Sequence, residues 1–167
     1  DNAPDPDILV FPGGSSGASA KNERVLEWAR QTHATGHVVM SVCTGAFILA
    51  RAGLLDELEI TTHYGSLASL QVLLPNATVL ERTRYVDNGR IITTAGVSAG
   101  IDGALHLVAR IKGVETARRT AHYMEYDKWV PNEGKIATLN PVLQPNEAGV
   151  KETNATINRK LNEGHIP

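Results

Sequence analysis

The stretch that decides the fold is Val38-Val39-Met40-Ser41-Val42-Cys43-Thr44-Gly45-Ala46-Phe47-Ile48-Leu49. Its opening is a short, continuous apolar run, the pattern of a strand covered on both faces in a parallel sheet. From residue 44 to residue 52 the chain is apolar almost all round, which suits a buried helix, and Gly53 supplies a stop. Cys43 stands at the junction, with a small residue two positions away on each side, Ser41 and Gly45. This Ser-x-Cys-x-Gly has the form of a nucleophile elbow. A sharp strand-to-helix turn brings two backbones close together, so it needs small residues there. It also projects the central side chain beyond the carboxyl edge of the sheet, where open α/β folds bind ligands. Helix N–H groups at that point favour negative charge on sulfur. A lone cysteine is more often a small buried hydrophobe. The strand–Cys–Thr–Gly–helix context weighs for a nucleophile instead.

Working outward, residues 7–11 (Asp-Ile-Leu-Val-Phe) form another short apolar strand, ended by Pro12-Gly13-Gly14. A helix is expected over residues 21–35, with Val25, Trp28, Ala29 and Thr32 on one face and Gly36 as its stop. After Gly53, a strand fits residues 58–62, a helix residues 66–74 ended by Pro75, and a strand residues 78–80. Residues 84–87 and 90–94 flank Asn88-Gly89, a strong hairpin signal. Residues 98–112 carry Ile101, Ala104, Leu105, Val108 and Ile111 as one helical stripe, and a further helix follows Gly113. Strands alternating with helices predict an open α/β sheet. That domain fills residues 1–130; residues 131–167 read as a polar, Asn/Pro-rich extension with at most one helix, over residues 150–161.

Two further features fall on the same predicted edge. Glycines at 13 and 14 let backbone N–H groups approach a ligand, so the amides of Gly14 and Thr44 can be paired as an oxyanion hole. A Pro-Gly-Gly alone is an ordinary turn; its position one β–α unit before Cys43 gives it weight. Thr61-Thr62-His63-Tyr64 follows a predicted strand, which puts His63 in reach of the thiol or of a substrate proton. His33, His37, His106 and His122 sit at no strand's carboxyl end and are read as structural, and Asp102 as part of the helix that opens after Gly100.

Composition narrows the classes. The chain has 167 residues, enough for one domain with a proper core. Sixteen Lys and Arg against 18 Asp and Glu give a net charge of −2, which disfavours a nucleic-acid or anionic-membrane binder. One cysteine excludes an internal disulfide framework. No Cys–His spacing fits zinc, so neither metal nor cofactor is expected. No apolar run reaches the roughly 20 residues of a membrane helix. No signal-like segment opens the sequence, so cytoplasmic residence is the expectation.

Four short stretches, in this order, resemble the ThiJ/PfpI superfamily, itself similar to class I glutamine amidotransferases. They are residues 6–14 (Pro-Asp-Ile-Leu-Val-Phe-Pro-Gly-Gly), 41–46 (Ser-Val-Cys-Thr-Gly-Ala), 61–64 (Thr-Thr-His-Tyr) and 96–102 (Gly-Val-Ser-Ala-Gly-Ile-Asp). The pattern looks most like the isonitrile-hydratase-like branch, and amidase-like sensor domains of AraC-type regulators share it. The resemblance implies a flavodoxin-like three-layer sandwich with a mostly parallel sheet, often a homodimer, with Cys43 as nucleophile and His63 as its site partner. It implies oxyanion amides at Gly14 and Thr44 and a substrate pocket bordered by Gly13, Tyr64 and Ser98.

Three departures qualify it. The peptidase-like branch has a histidine directly after the cysteine; Thr44 stands here, which disfavours protein hydrolysis. An amidotransferase needs a late His-x-Glu, and His122 to Glu125 is spaced differently. The family also begins with a strand, helix and strand ahead of the Pro-Gly-Gly, and that first strand carries an Asp or Glu for the cysteine. No residue here matches it. The expectation is therefore a domain completed by an upstream segment, either part of a longer chain or a separate peptide.

The leading functional expectation is a cysteine-dependent hydratase or hydrolase of small molecules, with isonitriles as the nearest class. Alternatives are a cofactor-independent enzyme for 2-oxoaldehydes, a non-catalytic ligand-sensing domain, and a redox sensor working through Cys43.

Overall fold

The computed structural model describes residues 5–137. Along the chain run β1 (Ile8–Phe11), α1 (Glu23–Ala34), β2 (Val38–Val42), α2 (Ala46–Arg51), β3 (Glu59–Ile60) and α3 (Leu67–Leu73). There follow β4 (Thr78–Val79), β5 (Tyr85–Asp87), β6 (Ile91–Thr94), α4 (Ser98–Lys112), α5 (Val114–Tyr123) and β7 (Lys135–Ile136). The main sheet has the order β1-β2-β6-β5-β7. β1, β2 and β6 are parallel, β5 returns antiparallel to β6 through the Asn88-Gly89 hairpin, and β7 lies parallel to β5. Among the described residues, β1 pairs with β2 alone.

The period of two in a strand sorts the apolar runs onto two faces. Leu9, Phe11, Val39 and Ile91 pack with Leu26 and Ala29 of α1 and with Ala46 and Leu49 of α2. Ile8, Val38, Met40 and Ile92 face the other way, onto Leu107 and Ile111 of α4. Helices on both faces make three layers, a mostly parallel α/β sandwich of the flavodoxin-like kind. Outside α4, Leu105 meets Ala117 and Ala121 of α5 and Trp129. Asn22 caps α1 by accepting from the Arg24 N–H, and Gly36 leaves it with φ of 91°. Trp28, expected in the buried stripe, sits at its rim, edge-on to Phe11.

Three local expectations change. The helix predicted over residues 44–52 splits into a 3₁₀ turn, Cys43–Gly45, and the six-residue α2, because the turn spends a full rotation of chain in leaving the strand. The strand predicted over residues 58–62 shortens to β3, which pairs with β4 in a separate two-stranded sheet. Side chains, not a ladder, fix it to the main sheet: Thr61 N–H donates to Thr93 Oγ1, and the Asn88 amide donates to Glu59 O. Finally, residues 135–136, assigned to the polar extension, add β7 to the sheet. The Ala137 N–H donates to Asp87 O, and Gly134 lies so close to the Tyr85 ring that a Cβ there would collide with it. Backbone pairing of this kind leaves no hydrophobic pattern. The helix expected over residues 150–161 lies outside the described residues.

Candidate active site

β2 delivers Cys43 to the carboxyl edge of the sheet with φ of 57°. A left-handed backbone at a non-glycine residue costs of order 1–3 kcal/mol and persists only where its surroundings enforce it. Here the Cys43 N–H donates to Ala95 O at 3.1 Å, and Thr62 Oγ1 donates to Cys43 O at 2.7 Å. Both neighbouring glycines are obligatory for want of space. A Cβ on Gly45 would run into the Phe11 carbonyl oxygen and lie 2.9 Å from that of Pro12. On Gly13 it would lie 2.5 Å from Cys43 Cβ and 3.1 Å from the sulfur. The end of β1 is thus pressed directly onto the elbow.

Two side-chain bonds tie the loops after β1 and β2 together. Thr44 Oγ1 donates to Gly14 O at 2.9 Å, and Ser16 Oγ donates to Thr44 O at 3.0 Å. Among the described residues, the N–H groups of Gly14 and Thr44 donate to no protein acceptor. Uncommitted backbone amides of this kind are the type of donor a developing oxyanion needs.

His63 begins the 3₁₀ turn after β3. Its Nδ1 accepts from the Gly65 N–H at 3.3 Å, so the neutral ring carries its proton on Nε2 and is set up there as a donor. The ring lies against Gly96, where a Cβ would approach Cδ2 to 2.8 Å, and contacts the Tyr64 ring at a centroid distance of 4.5 Å. Cys43 Sγ and His63 share no hydrogen bond among the described residues. The structure brings Cys43, His63, Gly13, Gly14 and Thr44 to one edge without joining thiol and imidazole.

Beside the elbow opens a cleft of about 210 Å³, bordered by Thr62, Tyr64, Arg82, Thr83, Arg84 and Ala95 among others. Tyr64 is largely exposed on its rim. Gly13 lies under the sulfur, and Ser98 touches the cleft only through Arg84, whose Nη2 donates to its hydroxyl at 3.0 Å. Arg84 Nε is paired with Asp102, which is 1% exposed, and lies 3.6 Å from Glu133. Burial pulls the Arg84 pKa down, but the Asp102 carboxylate outweighs burial and holds it above its usual value. Tyr126 donates to the second Asp102 oxygen at 3.1 Å, so Asp102 is a structural anchor between the cleft wall and α4.

Sequence reasoning missed the two arginines and the anchoring role of Thr62. No pattern in the sequence marked the arginines: they stand in an irregular segment before β5, where Arg82 is left-handed with φ of 50° and no strand or helix period applies. No group of three or more His, Cys, Asp or Glu among the described residues is placed to hold a metal ion. None of their helices is long and apolar enough to cross a membrane.

Residues 1–110 match the model of the DJ-1/PfpI family. The chain is 35% identical to an isonitrile hydratase of Pseudomonas putida over 144 residues, 85% of this chain and 61% of the relative. It is 29% identical to the transcriptional regulator GbdR of Pseudomonas aeruginosa, which carries a helix-turn-helix designation, over 98% of this chain and 44% of the regulator. Among solved structures, a ThiJ/PfpI family protein from Pseudomonas syringae superposes with a TM-score of 0.65 at 27% identity, over 91% of this chain and 61% of that one. The chain thus spans less than two thirds of the length of these proteins.

Proposed function

Because the chain belongs to the DJ-1/PfpI family, we propose that it is a cysteine-dependent hydratase or hydrolase of small molecules, isonitrile-hydratase-like in its chemistry. The observation that carries this reading is the left-handed Cys43 at the end of β2, wedged between Gly13 and Gly45. That backbone aims a sulfur at the sheet's open edge, beside two uncommitted amides. In this reading the sulfur adds to the terminal carbon of an isonitrile and the thiol proton completes a C–H bond. Water then adds to that carbon and sulfur leaves, giving an N-formyl amine and regenerating the thiol. The Gly14 and Thr44 amides hold charge as it develops, and His63 donates from Nε2 to the substrate. No net proton acceptor is required, which accords with a histidine poised as a donor.

The likeness to a transcriptional regulator along nearly the whole chain favours a second reading, a domain that binds a small molecule without turning it over. Turnover separates the two. Native protein and Cys43→Ala are each given an alkyl isonitrile and, separately, a 2-oxoaldehyde. Formation of the formamide that falls at least about a hundredfold in Cys43→Ala supports the nucleophile. Turnover confined to the 2-oxoaldehyde moves the substrate class. Undiminished activity in Cys43→Ala removes Cys43 from the chemistry, and no turnover by native protein of either substrate supports the sensing domain.

A further inference from the structure

We infer that the cleft beside Cys43 takes a small molecule bearing a carboxylate, and that Arg82 is the residue that holds it. This rests on reading the elbow's edge as a small-molecule site and names the chemical class of the molecule. The cleft belongs to that edge through its own walls: Thr62 and Ala95, which border it, are the residues that bond Cys43 O and Cys43 N. A molecule seated there lies against the residues that hold the Cys43 backbone.

The choice of anion follows from which polar groups in the cleft are already committed. The hydroxyls of Thr61, Thr62 and Thr83 donate to the carbonyls of Leu80, Cys43 and Glu81. Arg84 is neutralised by Asp102 and Glu133. Arg82 also borders the cleft, and among the described residues its guanidinium has neither an ion pair nor a hydrogen bond. It is therefore the cleft's one uncommitted charged donor among them. A planar guanidinium matches a carboxylate through two parallel N–H···O bonds. Arg82 is also held at φ of 50°, and Val97, opening α4 after Ala95-Gly96, at φ of 42°. With Cys43 that makes three left-handed non-glycine residues around one edge, the kind of stored strain that gathers at binding and catalytic sites. Tyr64 and Leu67 supply an apolar wall, which fits a short carbon chain behind the carboxylate.

The test is an amide-shift NMR titration of the whole chain with butyrate, and with butyramide as its neutral counterpart. Saturable shifts centred on Thr62, Thr83 and Ala95 are expected with butyrate and not with butyramide. Arg82→Gln is expected to weaken butyrate at least about fivefold, and Arg82→Lys to recover part of the loss. Arg82 is exposed on a loop, and an unchanged melting temperature shows that each variant is folded. Butyramide binding as well as butyrate, or Arg82→Gln binding butyrate as tightly as native protein, overturns the inference. Isonitrile turnover is followed on the same samples. Turnover without butyrate preference overturns the carboxylate site alone; butyrate binding without turnover overturns the proposed reaction and leaves the site standing.

Discussion

A cysteine stays in a left-handed backbone only while its neighbours leave it no other place, so the residues that crowd Cys43 differ sharply in what they tolerate. A methyl on Gly45 meets the carbonyl oxygens of Phe11 and Pro12, backbone atoms of a paired strand end that cannot rotate away. Gly45→Ala is expected to lower stability by at least about 2 kcal/mol, read as a fall in melting temperature. Gly14 has φ of 93° but open space where a Cβ would stand, so Gly14→Ala bears only backbone strain of about 1–2 kcal/mol. If Gly14→Ala proves the more damaging of the two, the steric account of the elbow is wrong. Thr62→Val keeps the volume and removes the hydroxyl that fixes Cys43 O. It should cost about 1 kcal/mol and change the iodoacetamide labelling rate of Cys43; labelling identical to native would show that this bond does not position the sulfur. The elbow and its small residues were legible in order along the chain. Thr62 was not, because nothing in a Thr-Thr-His says which threonine turns inward.

At the level of elements, the β5–β6 hairpin is pinned to α4 at the end of the sheet remote from Cys43. Asp87, nearly fully buried at the end of β5, accepts from Arg110 through both oxygens, at 3.1 and 3.0 Å, and from the Gly89 N–H at 2.7 Å. His106 Nε2 lies 2.6 Å from the same carboxylate, and its ring stacks on Tyr85. Burial alone raises a carboxyl pKa, but the His106 hydrogen bond and the Arg110 charge outweigh it and hold Asp87 below its ordinary value. A carboxyl depressed on folding stabilises the fold above its unfolded pKa, near 3.9, and that contribution is lost as pH falls through the folded value. Asp87→Asn should therefore cost about 2 kcal/mol at pH 7, since it removes the carboxylate that the buried His106 and the part-buried Arg110 share. The gap between variant and native urea midpoints should narrow as pH falls below about 4. A gap constant across that range would remove Asp87 as a source of acid sensitivity. His106 and Arg110 are four residues apart on a readable helix, and Asn88-Gly89 marked the hairpin. Their meeting depends on how two distant elements dock, which local pattern does not encode.

Across the whole molecule, the sequence was most informative where burial is two-sided. β1 and β2 are short apolar runs, β6 is marked by the Asn88-Gly89 turn before it, and the stripe on α4 predicts its span residue for residue. It was least informative where pairing is made by backbone alone. β3, expected over residues 58–62, keeps only two of them, and β7 was not expected at all, since both its residues, Lys135 and Ile136, are exposed. The same contrast predicts a gradient of local stability. Val39, Met40 and Ile92 are essentially inaccessible, and β2 is flanked by parallel partners on both sides, so opening it exposes both cores at once. β7 holds on through one two-residue ladder to β5 and the bond from Ala137. Native-state hydrogen exchange should find the amides of β2 and β6 exchanging last, by global unfolding, and those of β7 far earlier, by local opening. Lys135 is additionally ion-paired with Glu59 of β3, so Lys135→Ala should speed exchange in β7 and leave β2 unchanged. Protection of β7 equal to that of β2 would mean that the edge strand is part of the cooperative core, and that exposure of its side chains misjudges how firmly the fold is closed.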